Sequence, residues 1–465
     1  MKGHPIKQVA ILLVSVMLLY GCGVTKPYVR PTVTTDSLFR DVHTTDTTTI
    51  ADIPYRVMFK DPYLLNLIQE GIANSYNLKI AVARIKQAEA NLKQSKAEFL
   101  PNINAGPQVT KQRLPSDQTQ GFASNQTIYQ LSASAGWEAD LWGKLKSTEK
   151  GALASLLESD AYKRATQTQL VSDIAINYYN LLAYDKQLAI TVESVKNFKE
   201  DVETNKTLKA ANRITEASVV QSEANLYAAE VSIPDLKNNI RQTENAISVL
   251  IARPSGPIER DSLSNQKFDT ILQTGVPAQL LGNRPDVQEA EYALRYYYEQ
   301  INVARAYFYP KLTITAQGGW QNVELKNFFS ASALFGNLVG GLLQPVFNQG
   351  LNKQRLALAK AQYEENVFDF HQALLNAGQQ VSDALYSFQS AQEKRSIRTQ
   401  QLEALKKAVD YNRELLNYGY AQTSYLDVLT SEQGYFSAQL NEVSDQLQQL
   451  SAVVNLYQSL GGGWK

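Results

Sequence analysis

The feature of this sequence that most constrains its fold is an internal repeat. The segment NSYNLKIAVARIKQAEANLKQSKAEFLP (74–101) is echoed 209 residues later by NRPDVQEAEYALRYYYEQINVARAYFYP (283–310). Residues that match at this offset include Ala81 and Ala290, Ala97 and Ala306, Phe99 and Phe308, Pro101 and Pro310, Val219 and Val428, and Glu223 and Glu432. An offset held over more than a hundred residues predicts two tandem copies of one structural unit.

Each copy is predicted to run helix, strand, strand, helix. The first helix of copy one should end before Pro101, because proline disfavours the helical state of the residue before it. Alternation of apolar and polar residues then predicts strands at about 102–116, 127–142, 311–323 and 335–349, although the last of these alternates poorly. Strands of roughly 10 residues suit a tilted membrane barrel. Their apolar faces could equally cover the core of a soluble sandwich.

Long helices are predicted after each strand pair. In copy one, apolar residues recur every seven positions at Ile174, Leu181, Leu188, Val195 and Val202. In copy two they step alternately by four and three at Phe436, Leu440, Val443, Leu447, Leu450, Val454 and Tyr457. A single stripe of this kind is usually ordinary helix core, but several stripes arranged as two hairpins favour extended coiled coils. The run from Lys146 to Leu208 would be roughly 95 Å long as a helix.

The chain is therefore predicted to divide into six parts. They are a signal peptide at 1–21, a lipidated N-terminal extension at 22–61, repeat 1 at 62–252, a Pro/Gly/Ser-rich linker at 253–277, repeat 2 at 278–460 and a C-terminal tail at 461–465. The helical hairpins of the two repeats are expected to turn at about 209–217 and 417–426.

The N-terminus has the layout of an export signal. Two lysines precede the apolar run QVAILLVSVMLL, which is too short to cross a bilayer. Cys22, the only cysteine, follows in the sequence LYGC, which resembles the lipobox of bacterial lipoproteins. A buried cysteine at this position by chance is the alternative. Its place directly after the apolar run favours cleavage before Cys22 and a covalent lipid on it, which would tether the chain to a membrane.

Composition and motifs argue against several classes of protein. Lys and Arg number 45, and so do Asp and Glu, so no basic excess favours nucleic acid. His43 and His371 stand without Cys, Asp or Glu at metal-ligand spacing. The sequence has no GxSxG, Walker-type, GxGxxG or HExxH motif. We therefore expect no catalytic site, no metal site and no cofactor other than the lipid on Cys22.

Four sequence features together resemble the TolC-like outer-membrane efflux proteins, in particular their lipoprotein branch (the NodT/OprM-like outer-membrane factors of tripartite RND-type pumps). LLGNRPDVQEAEYAL (280–294) is similar to a signature of that branch, with Asn283 in place of an arginine. NLKIAVARIKQAEANL with the following FLP is its copy-one counterpart. The ending LGGGW (460–464) and the lipobox at Cys22 are also typical of the branch.

The resemblance implies a mixed α+β membrane protein made mostly of long coiled-coil helices, in two tandem helix-strand-strand-helix repeats. It implies a homotrimer whose chains share a 12-stranded β-barrel, with four strands from each chain, and a periplasmic α-helical barrel. The implied role is a passive exit duct for drugs, metals or other small solutes, located in the outer membrane with its helices in the periplasm. The implied partners are a periplasmic membrane-fusion adaptor, an inner-membrane transporter and outer-membrane lipid.

The resemblance also implies that the hairpin tips close the periplasmic end and contact the adaptor. The expected gate residues are Leu426, Asp427 and Thr430, with Ala217, Ser218 and Gln221 as copy-one equivalents. The expected adaptor-contact residues are Ala211, Asn212, Arg213, Gly419 and Thr423. Three-fold symmetry would bring three Asp427 carboxylates together. Alternatively, Asp427 is a solvated residue in the first turn of a helix, where a carboxylate suits the helix dipole.

Other functions remain open at this point. A duct for type I protein secretion has the same architecture and is the main alternative. A periplasmic adaptor lipoprotein would normally have one helical hairpin instead of two tandem copies. A lipid-anchored coiled coil without a pore is a third possibility.

Overall fold

The computed structural model describes residues 24–33, 35, 38–40, 45–114, 124–268, 273–418 and 425–465. The predicted signal peptide and Cys22 lie outside these residues. The α-helices, in chain order, are α1 (Tyr55–Met58), α2 (Pro62–Asn74), α3 (Tyr76–Ala97), α4 (Lys144–Ala210), α5 (Glu216–Leu250), α6 (Leu280–Asn283), α7 (Pro285–Ala306), α8 (Leu351–Asn417) and α9 (Tyr425–Ser459). The strands are β1 (Asn102–Leu114), β2 (Ser124–Ala139), β3 (Lys311–Asn322) and β4 (Leu334–Leu343).

The helices confirm the tandem repeat. Helices α3 and α7 have 22 residues each, α4 and α8 have 67 each, and α5 and α9 have 35 each. The first helices are displaced by 209 residues, as are α5 and α9, whereas α4 and α8 are displaced by 207 (Lys144 to Leu351). The single offset seen in the sequence therefore holds only for parts of the repeat. Copy two has two residues fewer than copy one between its first helix and its long helix. It has two residues more than copy one in the turn after the long helix.

The four strands form one antiparallel sheet in the order β1-β2-β3-β4. Asn102 pairs with Gly136, Ala139 with Leu312, and Lys311 with Leu343. Strand β4 ends at Leu343, so residues 344–349 of the predicted strand 335–349 are not in a strand. The predicted second strand also differs, since β2 ends at Ala139 and not near residue 142.

The start of α4 shows how a strand turns into a long helix. Asp140 follows β2, and its carboxylate accepts hydrogen bonds from the backbone N–H groups of Leu145 (3.1 Å) and Lys146 (2.9 Å). These are donors that the first turn of a helix leaves unsatisfied. Gly143 has a φ of +73°, a conformation that glycine adopts without a steric penalty.

The chain groups into two compact units. Unit 1 contains the described residues of 1–32, 84–160 and 289–370, and so includes the sheet and most of α7. Residues 24–30, which we call the N-terminal strap, lie along α7. The backbone of Lys26 exchanges hydrogen bonds with the Asn302 amide (3.1 and 2.9 Å), and Arg30 forms a two-pronged ion pair with Glu291 (2.9 and 2.5 Å).

Unit 2 contains the described residues of 33–83, 161–288 and 371–465. A carboxylate organises part of its core: Asp61 caps α2 through the backbone N–H of Tyr63 (2.8 Å). The same carboxylate accepts hydrogen bonds from the Tyr178 hydroxyl (2.6 Å) and the Gln266 amide (2.8 Å). Both partners are buried, and so is Asp61. This buried acid is therefore satisfied by three elements of unit 2 at once.

Two properties of the described residues bear on function. None of their helices combines the length and apolar character that a membrane-crossing helix requires. Within the same residues, no three His, Cys, Asp or Glu side chains lie close enough together to hold a metal ion.

Candidate functional site

The turn between α4 and α5 has a defined geometry. Its Asn212 has a φ of +55°, and the Arg213 N–H donates to the carbonyl of Leu208 (2.9 Å). This is the left-handed end that commonly terminates a helix, and asparagine tolerates it better than most residues. Lys209 and Glu216 form an ion pair across the turn. The predicted adaptor-contact residues Ala211, Asn212 and Arg213 are all exposed here.

The turn between α8 and α9 is described only in part. Gly419 and Thr423, the predicted adaptor-contact residues of copy two, lie outside the described residues. Tyr418 is described, and its side chain is 74% exposed.

The structure brings the three gate candidates of copy two together on one face of the first turns of α9. Leu426 is 59% exposed, and Asp427 and Thr430 are also exposed. The intervening Val428 and Leu429 are buried. The backbone here is held from a neighbouring helix, since the Asn412 amide of α8 donates to the carbonyl of Asp427 (3.3 Å). The exposed face therefore combines an apolar group, a carboxylate and a hydroxyl.

The copy-one candidates form a corresponding but uncharged face on α5. Ala217 and Gln221 are exposed and Ser218 is half-buried. The Ser218 hydroxyl lies 3.4 Å from that of Thr215, and the Gln221 amide donates to Asn225 (3.3 Å). Any charge at this position on the two faces comes from Asp427 in copy two.

Beneath the copy-two face lies a group of ionisable residues, two buried acids and a half-exposed arginine, that the sequence analysis did not identify. We call Asp201 of α4, Arg413 of α8 and Glu432 of α9 the carboxylate cluster. The Arg413 guanidinium binds Glu432 (2.6 and 2.7 Å) and lies 3.5 Å from Asp201. Tyr425, at the start of α9, donates to the backbone carbonyl of Asp201 (3.3 Å). The cluster thus ties the beginning of α9 to a helix of copy one.

The two acids of the cluster share one arginine. Their side chains are only 13% (Asp201) and 7% (Glu432) exposed, and Asp201 Oδ2 and Glu432 Oε2 are buried without a hydrogen-bond donor in the described residues. When both are ionised they can only accept, so neither can bond the other until one carries a proton. Burial raises the pKa of Glu432 to about 8, and the nearby Asp201 carboxylate raises it too, while Arg413 opposes the shift.

Part of this cluster can be recognised from the internal repeat. Arg413 and Glu432 correspond to Lys206 and Glu223 of copy one, which also form an ion pair (3.5 Å), in a more exposed setting. Asp201 is the member of the cluster that this correspondence does not supply. Its approach to Glu432 depends on how helices of different copies pack, which the pattern within either copy does not encode.

The strands present two chemically different faces. Along one face lie Ile103, Val109, Ile314, Leu338 and Leu342, and four of these five side chains are at least 50% exposed. The other face carries polar side chains, including Gln130, Ser132, Thr313, Thr315 and Gln317. A sheet that exposes aliphatic side chains on one face and amides and hydroxyls on the other suits contact with lipid on one side and water on the other.

The family model for outer membrane efflux protein matches the chain twice, over residues 67–253 and 276–462, at the offset of the internal repeat. The probable efflux pump outer membrane protein TtgC of Pseudomonas putida is 28% identical over 478 residues, covering 98% of this chain and 96% of TtgC. The probable outer membrane lipoprotein SilC of Salmonella typhimurium is 26% identical over 456 residues, covering 97% of each chain.

Solved structures resemble the fold over nearly its whole length. The open-state MtrE outer membrane channel of Neisseria gonorrhoeae superposes with a TM-score of 0.82 at 25% identity, covering 95% of this chain and 98% of MtrE. A membrane protein from Pseudomonas aeruginosa reaches a TM-score of 0.87 at 22% identity, covering 95% and 97%. Since the family model accounts for both copies of the repeat, the chain belongs to the outer membrane efflux protein family.

Proposed function

We propose that this protein is the outer-membrane exit duct of a tripartite efflux system. In this proposal three chains share a 12-stranded barrel, four strands from each, and their long helices form a tunnel in the periplasm. An inner-membrane transporter supplies the energy, a periplasmic adaptor joins the two, and small solutes pass through the duct without chemical change. A lipid on Cys22 adds an anchor in the outer membrane.

The observation that carries the proposal is that the sheet of a single chain has two unpaired edges and an exposed apolar face. In the described part of the chain, β1 and β4 each pair on one side only, although one face of the sheet is apolar and exposed. Unpaired backbone groups are too costly in hydrocarbon for an open sheet edge to persist there. Sharing strands among several chains removes every edge and places the polar face around a common interior.

Efflux of small solutes is favoured over protein secretion by the names of the relatives. Pumps containing these relatives are named for toluene, antibiotics and cations. A periplasmic adaptor is disfavoured because this chain carries two complete copies of the repeat and aligns along its length with outer membrane channels.

The proposal assigns the gate to the exposed face of α9. Three Asp427 carboxylates around a three-fold axis would repel one another and attract cations, and the three Leu426 side chains would narrow an apolar constriction. The copy-one face, with Ala217, Ser218 and Gln221, would complete the ring without adding charge. Docking of the adaptor on the helix turns would widen it.

Reconstitution tests the proposed function. The full-length lipidated protein, extracted from outer membranes, should migrate as a heat-dissociable trimer and conduct ions in planar bilayers. Deletion of the gene should lower the concentration of toluene, antibiotics or metal cations that stops growth. A monomeric protein without conductance would contradict the proposal. Normal tolerance of all three solute classes would also contradict it, in a strain that lacks this gene and the gene of every related duct.

A further inference from the structure

Charged residues are few and unevenly placed in the four strands. The pairing is continuous through the sheet, so each face can be followed row by row. Glu138 and Lys311 lie on the polar face and bind each other (2.8 Å). Lys111 and Arg113, both on β1, are the other charged residues of the strands, and they share the apolar face with Ile103. Within the described strands, the apolar face therefore carries a positive charge at one end only.

Neither of these two cations is neutralised within the described part of the chain. Both side chains are exposed, and no described carboxylate lies within ion-pair distance of Lys111 or Arg113. Their partners in the ladder are Thr127 and Asn125, which add a hydroxyl and an amide to the same face. Ammonium, guanidinium, hydroxyl and amide groups are all hydrogen-bond donors. These four residues, which we call the basic patch, suit an anion with several oxygen atoms.

The basic patch lies at the end of the sheet that is away from the helices. Helix α3 leads into β1, and β2 leads into α4; in copy two, α7 leads into β3, and β4 leads into α8. All four helices therefore join the sheet at the same end, and the patch is near the opposite end, where β1 stops. In the proposed function the helices are periplasmic, so the patch is at the outer surface of the membrane.

Aromatic side chains mark two levels on the apolar face. Trp137 lies near the helix end, and Tyr129 lies near the other end, eight residues away on β2. This interval is about 27 Å along the strand, and about 20 Å across the membrane once a barrel tilt of about 40° is allowed for. Tyr and Trp are enriched at the two membrane interfaces, and the apolar band of a barrel is about 25 Å tall. The two levels are therefore spaced as the two edges of the hydrocarbon layer would be.

The connection between β3 and β4 adds aromatic rings to the outer level. Trp320 is on the apolar face, opposite Leu131. The Phe329 ring contacts it at a centroid distance of 5.7 Å, and Phe328 packs on Phe329 at 5.0 Å. Phe329 is nevertheless 71% exposed in the single chain. Exposed aromatic rings gathered at one level of a sheet are typical of the belt that lies at a membrane interface.

The two cations lie just beyond this belt. Val109 is opposite Tyr129, and Lys111 and Arg113 follow Val109 by two and four residues on the same face. With the same tilt, they lie about 5 and 10 Å beyond the level of Tyr129. The headgroup layer is roughly 5–8 Å thick on each side of the hydrocarbon core. Both long side chains are therefore within reach of lipid headgroups.

We propose that Lys111 and Arg113 bind the phosphates of a phosphorylated glycolipid, the lipid A part of lipopolysaccharide, in the outer leaflet of the outer membrane. The orientation rests on the proposed function, to which this adds a lipid site on each chain. A guanidinium and an ammonium group form charge-assisted hydrogen bonds with phosphate oxygens. The acyl chains lie against Val109 and Ile103, which are 64% and 72% exposed in the single chain.

A lipid fits this surface better than a free anion does. Exposed cations hold small anions weakly, because water and salt screen the attraction. A lipid adds the burial of acyl chains against the apolar residues beside the patch. At the helix end, the apolar face of the described strands has no cation. The charge of this face therefore differs between the two leaflets, as the content of phosphorylated glycolipid does.

Lipid binding to the full-length trimer tests the proposal. The wild type and K111Q/R113Q are extracted from outer membranes in mild detergent, and the lipids that the trimers retain are identified by native mass spectrometry. The matched control is K326Q, in the connection between β3 and β4, because Lys326 is 77% exposed and forms an ion pair with Glu324 (3.5 Å). The trimers are then freed of lipid and titrated with purified lipid A, and with lipid A from which the phosphates have been removed.

The wild type and K326Q should retain lipid A. K111Q/R113Q should bind it roughly 30-fold more weakly, since each basic residue at an anionic lipid surface contributes about a fivefold factor. Removal of the phosphates should weaken binding to the wild type by a similar factor. This second comparison needs no variant, so it does not depend on the assembly of K111Q/R113Q.

Equal binding of lipid A by the wild type and K111Q/R113Q, or equal binding of the two forms of lipid A by the wild type, would overturn the site. Retention of a glycerophospholipid in place of lipid A would overturn the choice of lipid. In either case, a wild type that is trimeric and conducts ions leaves the proposed function intact. A wild type that neither forms trimers nor conducts ions would overturn both.

Discussion

The guanidinium of Arg284 donates a hydrogen bond of 3.0 Å from Nη1 to the carbonyl oxygen of Ser459, the last residue of α9. Arg284 is 6% exposed and also binds the Asp286 carboxylate (2.5 and 2.9 Å). The final carbonyls of a helix lack partners within the helix, and a cation suits that end. The contact joins the segment LLGNRPD to the end of α9, directly before the tail LGGGW.

Loss of this contact should destabilise unit 2. The variant R284A leaves the carbonyl of Ser459 buried without its donor and removes the partner of Asp286, which should lower the free energy of unfolding by about 1–3 kcal/mol. The midpoint of thermal unfolding in detergent measures the effect. The matched control is R241A, on the exposed face of α5. Equal midpoints for the two variants would show that the contact has no net effect.

The tail itself should tolerate no side chain at Gly462. A Cβ there would lie 2.3 Å from the Tyr457 ring, whereas a Cβ at Gly282 meets no atom within 4 Å. G462A should therefore force the ring or the tail to move and cost about 1–3 kcal/mol, while G282A should have little effect. Comparing the urea midpoints of the two variants checks this. A larger loss in G282A would contradict it.

The carboxylate cluster should make stability depend on pH. The pKa of Glu432 is raised to about 8 from its usual 4.5, so the folded state holds the proton more tightly than the unfolded state. The contribution of this proton to the free energy of unfolding is complete below about pH 4.5 and is lost as the pH rises towards 8. E432Q imitates the protonated acid. The unfolding midpoint of E432Q relative to that of the wild type should therefore rise as the pH is raised from about 5 to about 9.

The control for the pH experiment is E223Q, the equivalent residue in copy one, whose ion pair with Lys206 is more exposed. This variant should follow the wild-type pH profile. If E432Q and the wild type keep the same difference in midpoint at all pH values, the acid does not titrate in this range.

The proposed gate gives a functional prediction. Because the side chains of Asp427 and Thr430 are exposed, the double variant D427A/T430A should fold. Under the proposed gate, it should widen the constriction, raise single-channel conductance and let large antibiotics enter the cell. The matched control is S218A/Q221A on the copy-one face, which should change conductance less. Unchanged conductance in D427A/T430A would count against the assignment.

Much of the fold follows from local pattern. The matched residues 81–101 and 290–310 predict the repeat, and the alternation from Tyr129 to Trp137 predicts β2, because both patterns come from short-range periodicity. The end of β4 was predicted six residues too late. The sequence of residues 344–349 is compatible with a strand, but a strand forms only where a partner provides hydrogen bonds.

The candidate site could be predicted only in part. The resemblance assigns Leu426, Asp427 and Thr430 to one face of a helix, and in α9 the three residues are exposed together, since a helix fixes which residues share a face. The meeting of Asp201 with Glu432 was missed, because it brings together residues from different copies through tertiary packing. The assignment of these faces to a gate stays a prediction, as does the lipid on Cys22.

The unequal turns between the long helices have a consequence for stoichiometry. Five residues separate α4 from α5, and seven separate α8 from α9. A ring of three such chains would offer a partner two kinds of docking turn in alternation. A partner that requires one kind would bind in a 1:1 ratio to the chain, and one that accepts both would bind in a 2:1 ratio.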